Sequence, residues 1–229
     1  MKRMMNAKVS HSYFGVAAIP FRLHMRNDLH LARKLWHMLM GLAIVSVYLS
    51  GMSRSTAVFT LGCVLGLDLL METVRLRSPA LNETILRYWG PLMRTNEIGR
   101  VSGIPYYLAA AILAIGIFPK PIAVLSILYL ACGDPLASLF GVLYGNRSIK
   151  FPNGKSLVGT LAGVVTCAIA TFVFLSGFGL SASSVLILTV LGGISGGTAE
   201  LLPLEVDDNF SIPIVSGFVL WLSFIILGL

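Results

Sequence analysis

Long apolar runs separated by short polar stretches dominate the pattern of this chain. Most runs approach the roughly 20 residues that a helix needs to cross a 30 Å hydrocarbon core. The runs are continuously apolar, whereas transmembrane strands would alternate apolar and polar residues over about ten positions. The pattern therefore predicts an all-α, polytopic membrane helical bundle of about seven transmembrane helices. The predicted spans are residues 35–50, 55–71, 105–118, 121–144, 156–175, 184–198 and 212–227.

Basic residues divide the connecting segments into two groups. Fifteen of the 17 Lys and Arg residues lie before the first span, in the 72–104 segment or in the 145–155 segment. Arg54 and Lys120 are the two exceptions. Because cytoplasmic loops collect Lys and Arg, this distribution predicts a cytoplasmic N-terminus and, with an odd number of spans, a C-terminus on the opposite side.

Two segments outside the spans are predicted to lie on the membrane surface. Residues 1–34 are predicted to form a basic, amphipathic N-terminal arm, and residues 35–229 the membrane-embedded domain. The 72–104 segment interleaves charged residues with Leu, Ile and Trp89, which favours interfacial helices broken at Gly90-Pro91. A plain solvated linker is the alternative for this second segment.

Composition narrows the class of protein. Hydrophobic residues make up 56% of the chain and charged residues 12%, against about a quarter charged in soluble globular proteins. The net charge is +7, but the cations lie between apolar runs, so no nucleic acid is expected as a partner. The three cysteines are isolated from one another in apolar segments, which indicates neither a disulfide framework nor a zinc site.

The fourth span contains an acid where lipid would disfavour one. Asp134 stands between Gly133 and Pro135, and the proline frees a backbone carbonyl that only protein or a wet cavity can satisfy. Ionisable residues within spans mark functional sites by default, so Asp134 is a candidate metal ligand or base. The alternative is that Asp134 hydrogen-bonds to a neighbouring Ser or Thr and serves only to pack two helices together.

The segment before the fifth span has the composition of an anion site. It combines basic side chains and glycine with a helix N-terminus, whose free N–H groups favour phosphate. The residues concerned are Arg147, Lys150, Gly154, Lys155 and Ser156. The segment is not a P-loop, because position 149 is Ile rather than Gly. A purely topological role for the cations stays open.

The loop before the last span carries four acids, one asparagine and no cation: Glu200, Glu205, Asp207, Asp208 and Asn209. Oxygen ligands beside a phosphate site suggest Mg²⁺, which takes one or two carboxylates together with substrate phosphates. A solvated acidic turn is the alternative.

Two further groups of charged residues lie at the predicted cytoplasmic ends of the first two spans. Arg33 and Lys34 precede His37, and these cations can also simply extend to lipid headgroups. The second span ends with three charged residues that share one helix face: Asp68, Glu72 and Arg75. An ion-paired network and a functional role are equally compatible with that spacing.

Small residues recur at a spacing of four on three predicted helices. The pairs are Gly141 and Gly145, Gly159 and Gly163, and Gly192 and Gly196. This spacing is typical of close helix contacts in lipid.

Four motifs follow one another along the chain from about Leu31: Arg33-Lys34-x-x-His37, Gly133-Asp134-Pro135 with Gly141, Lys155-Ser156-x-x-Gly159-Thr160, and Asp207-Asp208-Asn209. In this order they resemble the integral-membrane lipid-alcohol kinases, which include dolichol kinase, phytol kinase and the CTP-dependent diacylglycerol kinase, and more distantly phosphatidate cytidylyltransferase. One position departs from the family pattern, because Val158 stands where an acid is common.

The resemblance implies transfer of the γ-phosphate of CTP to a lipid alcohol, with Mg²⁺, at the cytoplasmic face. It implies catalytic roles for Asp134, Lys155 and Asp208, with Asp134 as our choice for the proton acceptor. Phosphate binding is assigned to Arg33, Lys34, Gly133, Gly141, Arg147, Lys150, Gly154 and Ser156. The metal is assigned to Asp134, Asp207, Asp208 and Asn209, with support from His37, Asp68, Glu72, Arg75 and Glu200.

Two other functions stay open at this point. A cytidylyltransferase would attack the α-phosphorus instead, and a small transporter would use Asp134 as an ion relay. The predicted partners are a nucleoside triphosphate, a membrane lipid alcohol and the bilayer. The sequence does not decide between CTP and ATP, and assembly into a homo-oligomer stays open.

Overall fold

The computed structural model describes residues 31–94, 97–204 and 206–229, which form helices and contain no strand. The helices are α1 (Leu31–Leu49), α2 (Arg54–Arg77), α3 (Pro79–Trp89), α4 (Ile104–Ile117), α5 (Lys120–Leu128), α6 (Asp134–Tyr144), α7 (Leu157–Leu175), α8 (Ala182–Thr198) and α9 (Asp208–Ile226). The predicted arm, up to residue 30, and Glu205 lie outside the described residues. All seven predicted spans are helical, so the all-α prediction is confirmed.

Five helical stretches of the described chain are long and apolar enough to cross a membrane. The α4 helix is shorter, and α1 carries Arg33 and Lys34 in its first turn. The outward side chains are apolar: Phe59 is 73% exposed, Val173 68% and Ile226 73%. Large contiguous apolar surfaces are rare on soluble monomers and suit contact with lipid. The exact number of crossings and the orientation stay predictions.

Helix starts follow local capping rules. Ser53, Ser156 and Ser181 precede α2, α7 and α8, and each side chain accepts a hydrogen bond from a backbone N–H of the first turn. Such caps satisfy donors that have no partner within the helix. Proline occupies the first turn of α3, α4, α5 and α6, where its missing N–H costs nothing.

The core lies between α4, α5 and α9. The small residues of α4, such as Ala110 and Ala114, are fully buried and let the neighbouring helices approach. Phe118 fills the corner after α4, with its ring centroid 5.1 Å from that of Phe218 and 5.9 Å from that of Trp221. These edge-to-face pairs fix α9 against the α4–α5 corner.

The helix that contains the predicted acid is interrupted at the expected place. Residues Tyr129–Gly133 form a single π-helical turn that joins α5 to α6, directly before Pro135. Such turns arise where the regular hydrogen-bond ladder is disturbed and are frequent at functional sites. The interruption sets Asp134 at the start of a new helix.

Close helix contacts through glycine are confirmed. An added Cβ at Gly163 would lie 3.4 Å from the Cα of Gly197, and one at Gly159 would lie 3.1 Å from the Cα of Gly141. The two contacts bring α7 against α8 and against α6. In lipid such backbone approach is a main source of helix–helix packing.

The segment after α2 is helical and amphipathic, as predicted. The α3 helix ends at Trp89, and Gly90–Leu92 forms one 3-10 turn rather than a second long helix. The Trp89 ring packs edge-to-face on Trp36 of α1, with centroids 5.7 Å apart. The segment therefore covers the end of α1 instead of forming a detached linker.

The two ends of the bundle differ in charge. Arg54 donates to the carbonyl of Phe118 at one end, where Lys120 also lies over the ring of Tyr48. At the other end lie the start of α1, the 72–104 segment and the 145–155 segment, which carry the remaining described cations. This grouping of cations at one end agrees with the prediction that the basic connecting segments share one side of the membrane.

Candidate active site

Lys155 is the centre of a charged cluster at the basic end of the bundle. Its Nζ lies 2.7 Å from Oε2 of Glu200 and 2.9 Å from Oδ2 of Asp208. The Glu200 side chain is only 7% exposed, whereas those of Lys155 and Asp208 are about one-third exposed. Burial alone would lower the pKa of Lys155, but the two carboxylates outweigh burial and raise that pKa above its ordinary value. Lys155 is therefore a fixed positive charge with an open side.

The loop before α7 is built to present Lys155. Lys150 and Ser156 form an isolated antiparallel bridge, and the carbonyl of Lys155 accepts a hydrogen bond from the backbone of Phe151. Gly154 allows this tight return because its φ of +83° disfavours other residues. Arg147 and Lys150 are exposed on the same loop.

Asn153 ties this loop to the end of α8. Its side chain donates to the carbonyl of Glu200 and accepts from the backbone N–H of Lys155. The predicted phosphate loop and the predicted acidic loop therefore meet, although 45 residues separate Lys155 from Glu200.

Ser156 and three glycines form the floor beneath the loop. The Ser156 hydroxyl accepts from the backbone N–H of Gly159 and so caps α7. Added Cβ atoms at Gly141 and Gly145 would lie 3.3 Å and 2.9 Å from Ser156 Oγ. Gly141, which the sequence assigned to phosphate binding, lies at the close α6–α7 contact beneath the loop.

Asp134 is the first residue of α6 and lies within electrostatic reach of Lys155. Its Oδ2 lies 4.0 Å from Nε2 of His37, a buried nitrogen that has no hydrogen-bond partner in the described chain. Lys34, also on α1, lies within electrostatic reach of Asp134. An added Cβ at Gly133 would lie 2.6 Å from Sγ of Cys167, so this glycine allows α7 to approach.

Arg33 does not reach the Lys155 cluster with a direct contact. Its Nη1 lies 2.9 Å from Oε2 of Glu97, and it also reaches the carbonyl of Leu92 at 3.5 Å. The same Glu97 oxygen accepts from the backbone N–H of Arg94. Arg33 thus holds the segment after α3 onto α1 and presents its other N–H groups beside Asn209 and Gly103.

Asp207 and Asn209, both assigned to the metal from the sequence, have other partners. Asp207 caps α9 by accepting from the backbone N–H of Asn209, and its second oxygen lies 3.5 Å from Arg94. The Asn209 amide donates to the carbonyl of Gly103. Both residues shape the junction between α4 and α9, and Asp208 is the one of the three that points to Lys155.

Arg75 organises the segment after α3. Its guanidinium donates to Oε2 of Glu72 at 2.7 Å, to Oδ1 of Asn82, and to three backbone carbonyls, those of residues 97, 98 and 100. Glu72 also accepts from the backbone N–H of Ser102. The predicted ion pair between Glu72 and Arg75 is confirmed, and it fixes the 97–102 segment.

A cavity of about 320 Å³ lies between α1, α2, α3 and the start of α4. Its walls are mostly apolar, and its polar lining includes residues already introduced: Arg33, His37, Asp68, Glu72, Arg75, Glu97, Ser102 and Asn209. Lys155, Asp134 and Glu200 do not line it. The cavity and the Lys155 cluster are therefore neighbours, with His37 and Asp134 between them.

The structure brings the predicted phosphate and acidic loops together, and it adds residues that the sequence did not single out. Glu97, Arg94 and Asn153 hold the site together, and none was singled out from the sequence. A single acid among the cations of the 94–100 segment was the signal for Glu97. In the described part of the chain, no group of three or more His, Cys, Asp or Glu side chains has the arrangement of a metal site.

Comparisons with known proteins give relatives but no matching family model and no matching solved structure. The chain is 30% identical over 202 residues to CTP-dependent diacylglycerol kinase 1 of Eremothecium gossypii, covering 80% of this chain and 64% of that protein. It is 32% identical to the Schizosaccharomyces pombe protein of the same name, covering 66% and 73%. It is 31% identical to probable phytol kinase 1, chloroplastic, of Glycine max, covering 88% and 70%.

Proposed function

We infer that this protein, which belongs to the family of membrane lipid-alcohol kinases that includes CTP-dependent diacylglycerol kinases and phytol kinases, transfers the γ-phosphate of CTP to the hydroxyl of a lipid alcohol. The choice of CTP rests on the names of the diacylglycerol kinase relatives. The choice of a lipid acceptor rests on those names and on the apolar helices that surround the site.

The observation that carries this proposal is the position of Lys155 between Glu200 and Asp208. Phosphoryl transfer depends mainly on positioning and on neutralising the charge that develops on the phosphate. A fixed ammonium with an open side supplies a contact for phosphate oxygens. Arg147 and Lys150, exposed on the same loop, add positive charge where the rest of a triphosphate would extend.

The residues present fit a magnesium ion that is bound together with the nucleotide. Glu200 and Asp208 both contact the same ammonium, so their carboxylates are near enough to share one cation. Mg²⁺ commonly takes only one or two carboxylates and completes its shell with substrate phosphates and water. Bound there, it would neutralise negative charge on the phosphates.

In the proposed reaction the lipid hydroxyl oxygen attacks the γ-phosphorus. The new P–O bond forms as the bond from the γ-phosphorus to the bridging β–γ oxygen breaks, and CDP leaves. The hydroxyl proton passes to Asp134. Oδ2 of Asp134 and the unpartnered Nε2 of His37 lie 4.0 Å apart, so a single hydroxyl oxygen is within hydrogen-bond reach of both groups when it approaches them from one side. Lys155 holds the phosphate oxygens throughout.

We propose further that this chemistry takes place at the cytoplasmic face. The start of α1 and the described parts of the 72–104 and 145–155 segments lie at the same end of the bundle as Lys155 and Asp134. Such segments are retained on the cytoplasmic side of membranes, where nucleotides are found.

The proposal is tested with purified protein in detergent and Mg²⁺, using CTP labelled at either the α or the γ phosphate. The acceptors are diacylglycerol, phytol and a polyprenol, with phosphatidate for the alternative reaction. We expect γ label in a lipid alcohol, abolished by Asp134→Asn and retained by Glu83→Gln, a matched change on the exposed face of α3.

Two results would contradict the proposal. Transfer of the α label to phosphatidate would make the protein a cytidylyltransferase. Transfer of neither label, by protein that unfolds cooperatively on heating, would favour the transporter.

A further inference from the structure

The cavity between α1, α2 and α3 contains an acid with no assigned role. Of the three charged residues on the inner face of α2, Glu72 and Arg75 are engaged with each other and with the 97–102 segment. Asp68 shares that face, yet its buried Oδ2 has no hydrogen-bond partner among the described residues. Burying a polar group without a partner is costly, so such a group requires an explanation.

Apolar walls surround this acid. Val64 and Met71 of α2, Met40 of α1, and Ile85 of α3 line the same cavity as Asp68. A carboxylate oxygen in such walls binds a hydrogen-bond donor, because an ionised carboxylate can only accept. The fitting occupant is an apolar molecule that carries a hydroxyl.

The cavity opens toward the surroundings of the bundle. Four of its lining side chains are also substantially exposed: Trp36 at 37%, Val64 at 45%, Trp89 at 45% and Met71 at 54%. Trp36 lies on α1, and Val64 and Met71 lie on α2, two helices whose exposed side chains are largely apolar, whereas Trp89 ends the amphipathic α3. A lipid can therefore enter from the bilayer without crossing water, and the two tryptophans lie where an interfacial belt is expected.

The inner end of the cavity meets the proposed nucleotide site. His37, Arg33 and Asn209 line the cavity. His37 also faces Asp134 across 4.0 Å, and Asp134 lies within electrostatic reach of Lys155. A lipid held in the cavity would therefore present its polar end toward the transferring phosphate.

We propose that this cavity is the binding site of the acceptor lipid alcohol, and that Asp68 accepts a hydrogen bond from the lipid hydroxyl before the chemical step. This inference rests on the proposed function, because the captured hydroxyl is the group that the proposed reaction phosphorylates. It adds the acceptor site and assigns Asp68 to substrate capture. During transfer the hydroxyl gives its proton to Asp134, so the contact with Asp68 belongs to the bound substrate alone.

This division has a kinetic signature. A contact made only in the bound substrate raises the KM for the lipid when it is removed and does not lower kcat. We expect Asp68→Leu to raise the lipid KM about tenfold, the effect of losing one hydrogen bond to a charged group, and to leave the KM for CTP unchanged. Asp134→Asn should instead lower kcat. If Asp68 had only a structural role, Asp68→Leu would change the KM for the lipid and the KM for CTP together.

The shape of the cavity provides a second, independent pair of variants. Val64→Phe adds bulk to a side chain that lines the cavity, whereas Leu67→Phe makes a similar change at a position that is 66% exposed and does not line it. We expect Val64→Phe to raise the lipid KM and Leu67→Phe to leave it unchanged. Thermal unfolding in detergent checks that both variants are folded.

Binding is also measured without nucleotide, so that the result does not depend on catalysis. Diacylglycerol brominated on its acyl chains quenches tryptophan fluorescence on contact, and Trp36 and Trp89 both line the cavity. We expect saturable quenching that is weakened about tenfold in Asp68→Leu and also weakened in Val64→Phe, but not in Leu67→Phe. Brominated phosphatidylcholine lacks the hydroxyl, so its quenching should be the same for the wild type and for Asp68→Leu.

The outcomes separate this inference from the proposed function. Equal quenching in the wild type, Asp68→Leu and Val64→Phe would overturn the acceptor site even if γ label is transferred. Asp68-dependent quenching without any label transfer would support the acceptor site and count against the kinase. A fall in kcat for Asp68→Leu would overturn the assignment of Asp68 to substrate capture.

Discussion

Arg75 and Lys155 are both cations at the basic end of a membrane bundle, but their surroundings differ. Arg75 is 2% exposed, and four of its five hydrogen-bond acceptors are neutral: the Asn82 side chain and three backbone carbonyls. Lys155 is 34% exposed at its side chain and contacts two carboxylates. Backbone carbonyls cannot move away from Arg75 without unfolding the 97–102 segment. The carboxylates beside Lys155 have further lone pairs and an open side.

Structural and functional charges in such a protein can therefore be separated by their partners. A buried cation that donates mainly to backbone carbonyls, as Arg75 does, fixes a segment of the fold. A cation that is balanced by acids, and open on one side, can exchange partners with an anionic ligand and a metal ion.

The largest loss of stability is expected for Arg75→Leu. The change leaves Glu72 buried without its partner and frees the carbonyls of residues 97, 98 and 100. Breaking a buried pair costs about 3–5 kcal/mol in the free energy of unfolding. Thermal unfolding in detergent measures it, and Arg75→Lys should recover little because it cannot reproduce the planar set of donors. A wild-type unfolding temperature for Arg75→Leu would contradict the structural role.

The largest loss of activity is expected for Lys155→Met. Removing a preorganised charge that stabilises transferring phosphate lowers kcat by about 100- to 1,000-fold. The unfolding temperature should fall less than for Arg75→Leu, because Lys155 and Asp208 are partly exposed, although the buried Glu200 also loses its ion pair. Measured γ-phosphate transfer within tenfold of the wild type would remove Lys155 from the site.

An intermediate effect is expected for Glu97→Gln. Glu97 is 5% exposed and accepts hydrogen bonds from Arg33 and from the backbone of Arg94. The neutral amide weakens two bonds without changing the shape of the side chain, so a loss of about 1–3 kcal/mol is expected. Denaturation in detergent compares it with Glu83→Gln, which should have no effect. Equal stability of the two variants would show that Glu97 does not hold the segment.

The smallest effect is expected for Lys120→Met, at the opposite end of the bundle. Its Nζ lies 4.5 Å from the centroid of the Tyr48 ring. A partly buried contact of this type is worth about 1 kcal/mol, and phosphate transfer should be unchanged. A loss of activity similar to that of Lys155→Met would mean that both ends of the bundle serve the reaction.

Much of the fold was predictable because membrane spans follow from runs of apolar residues. The interruption at Gly133-Asp134-Pro135 and the glycine contacts of α7 and α8 were predictable as well, since proline and glycine act through the backbone. The meeting of Lys155 with Glu200 and Asp208 followed only in outline from the loops to which these residues belong.

The rest of the site depends on tertiary contacts that no local pattern encodes. Glu97 gains its importance from Arg33, which lies 64 positions earlier in the chain. Asp207 and Asn209 looked like metal ligands by composition, but the helix cap and the contact with Gly103 engage them. Asp68 could be separated from Glu72 and Arg75 only once their partners were known.

The most direct test of a nucleotide site at Lys155 is binding in the absence of any lipid acceptor. A ligand that binds the folded protein raises its unfolding temperature. We predict that Mg²⁺ with CTP raises the unfolding temperature of the wild type and of Lys120→Met in detergent by several degrees, and that Lys155→Met shows no such shift. An equal shift for Lys155→Met and the wild type would contradict a nucleotide site at Lys155.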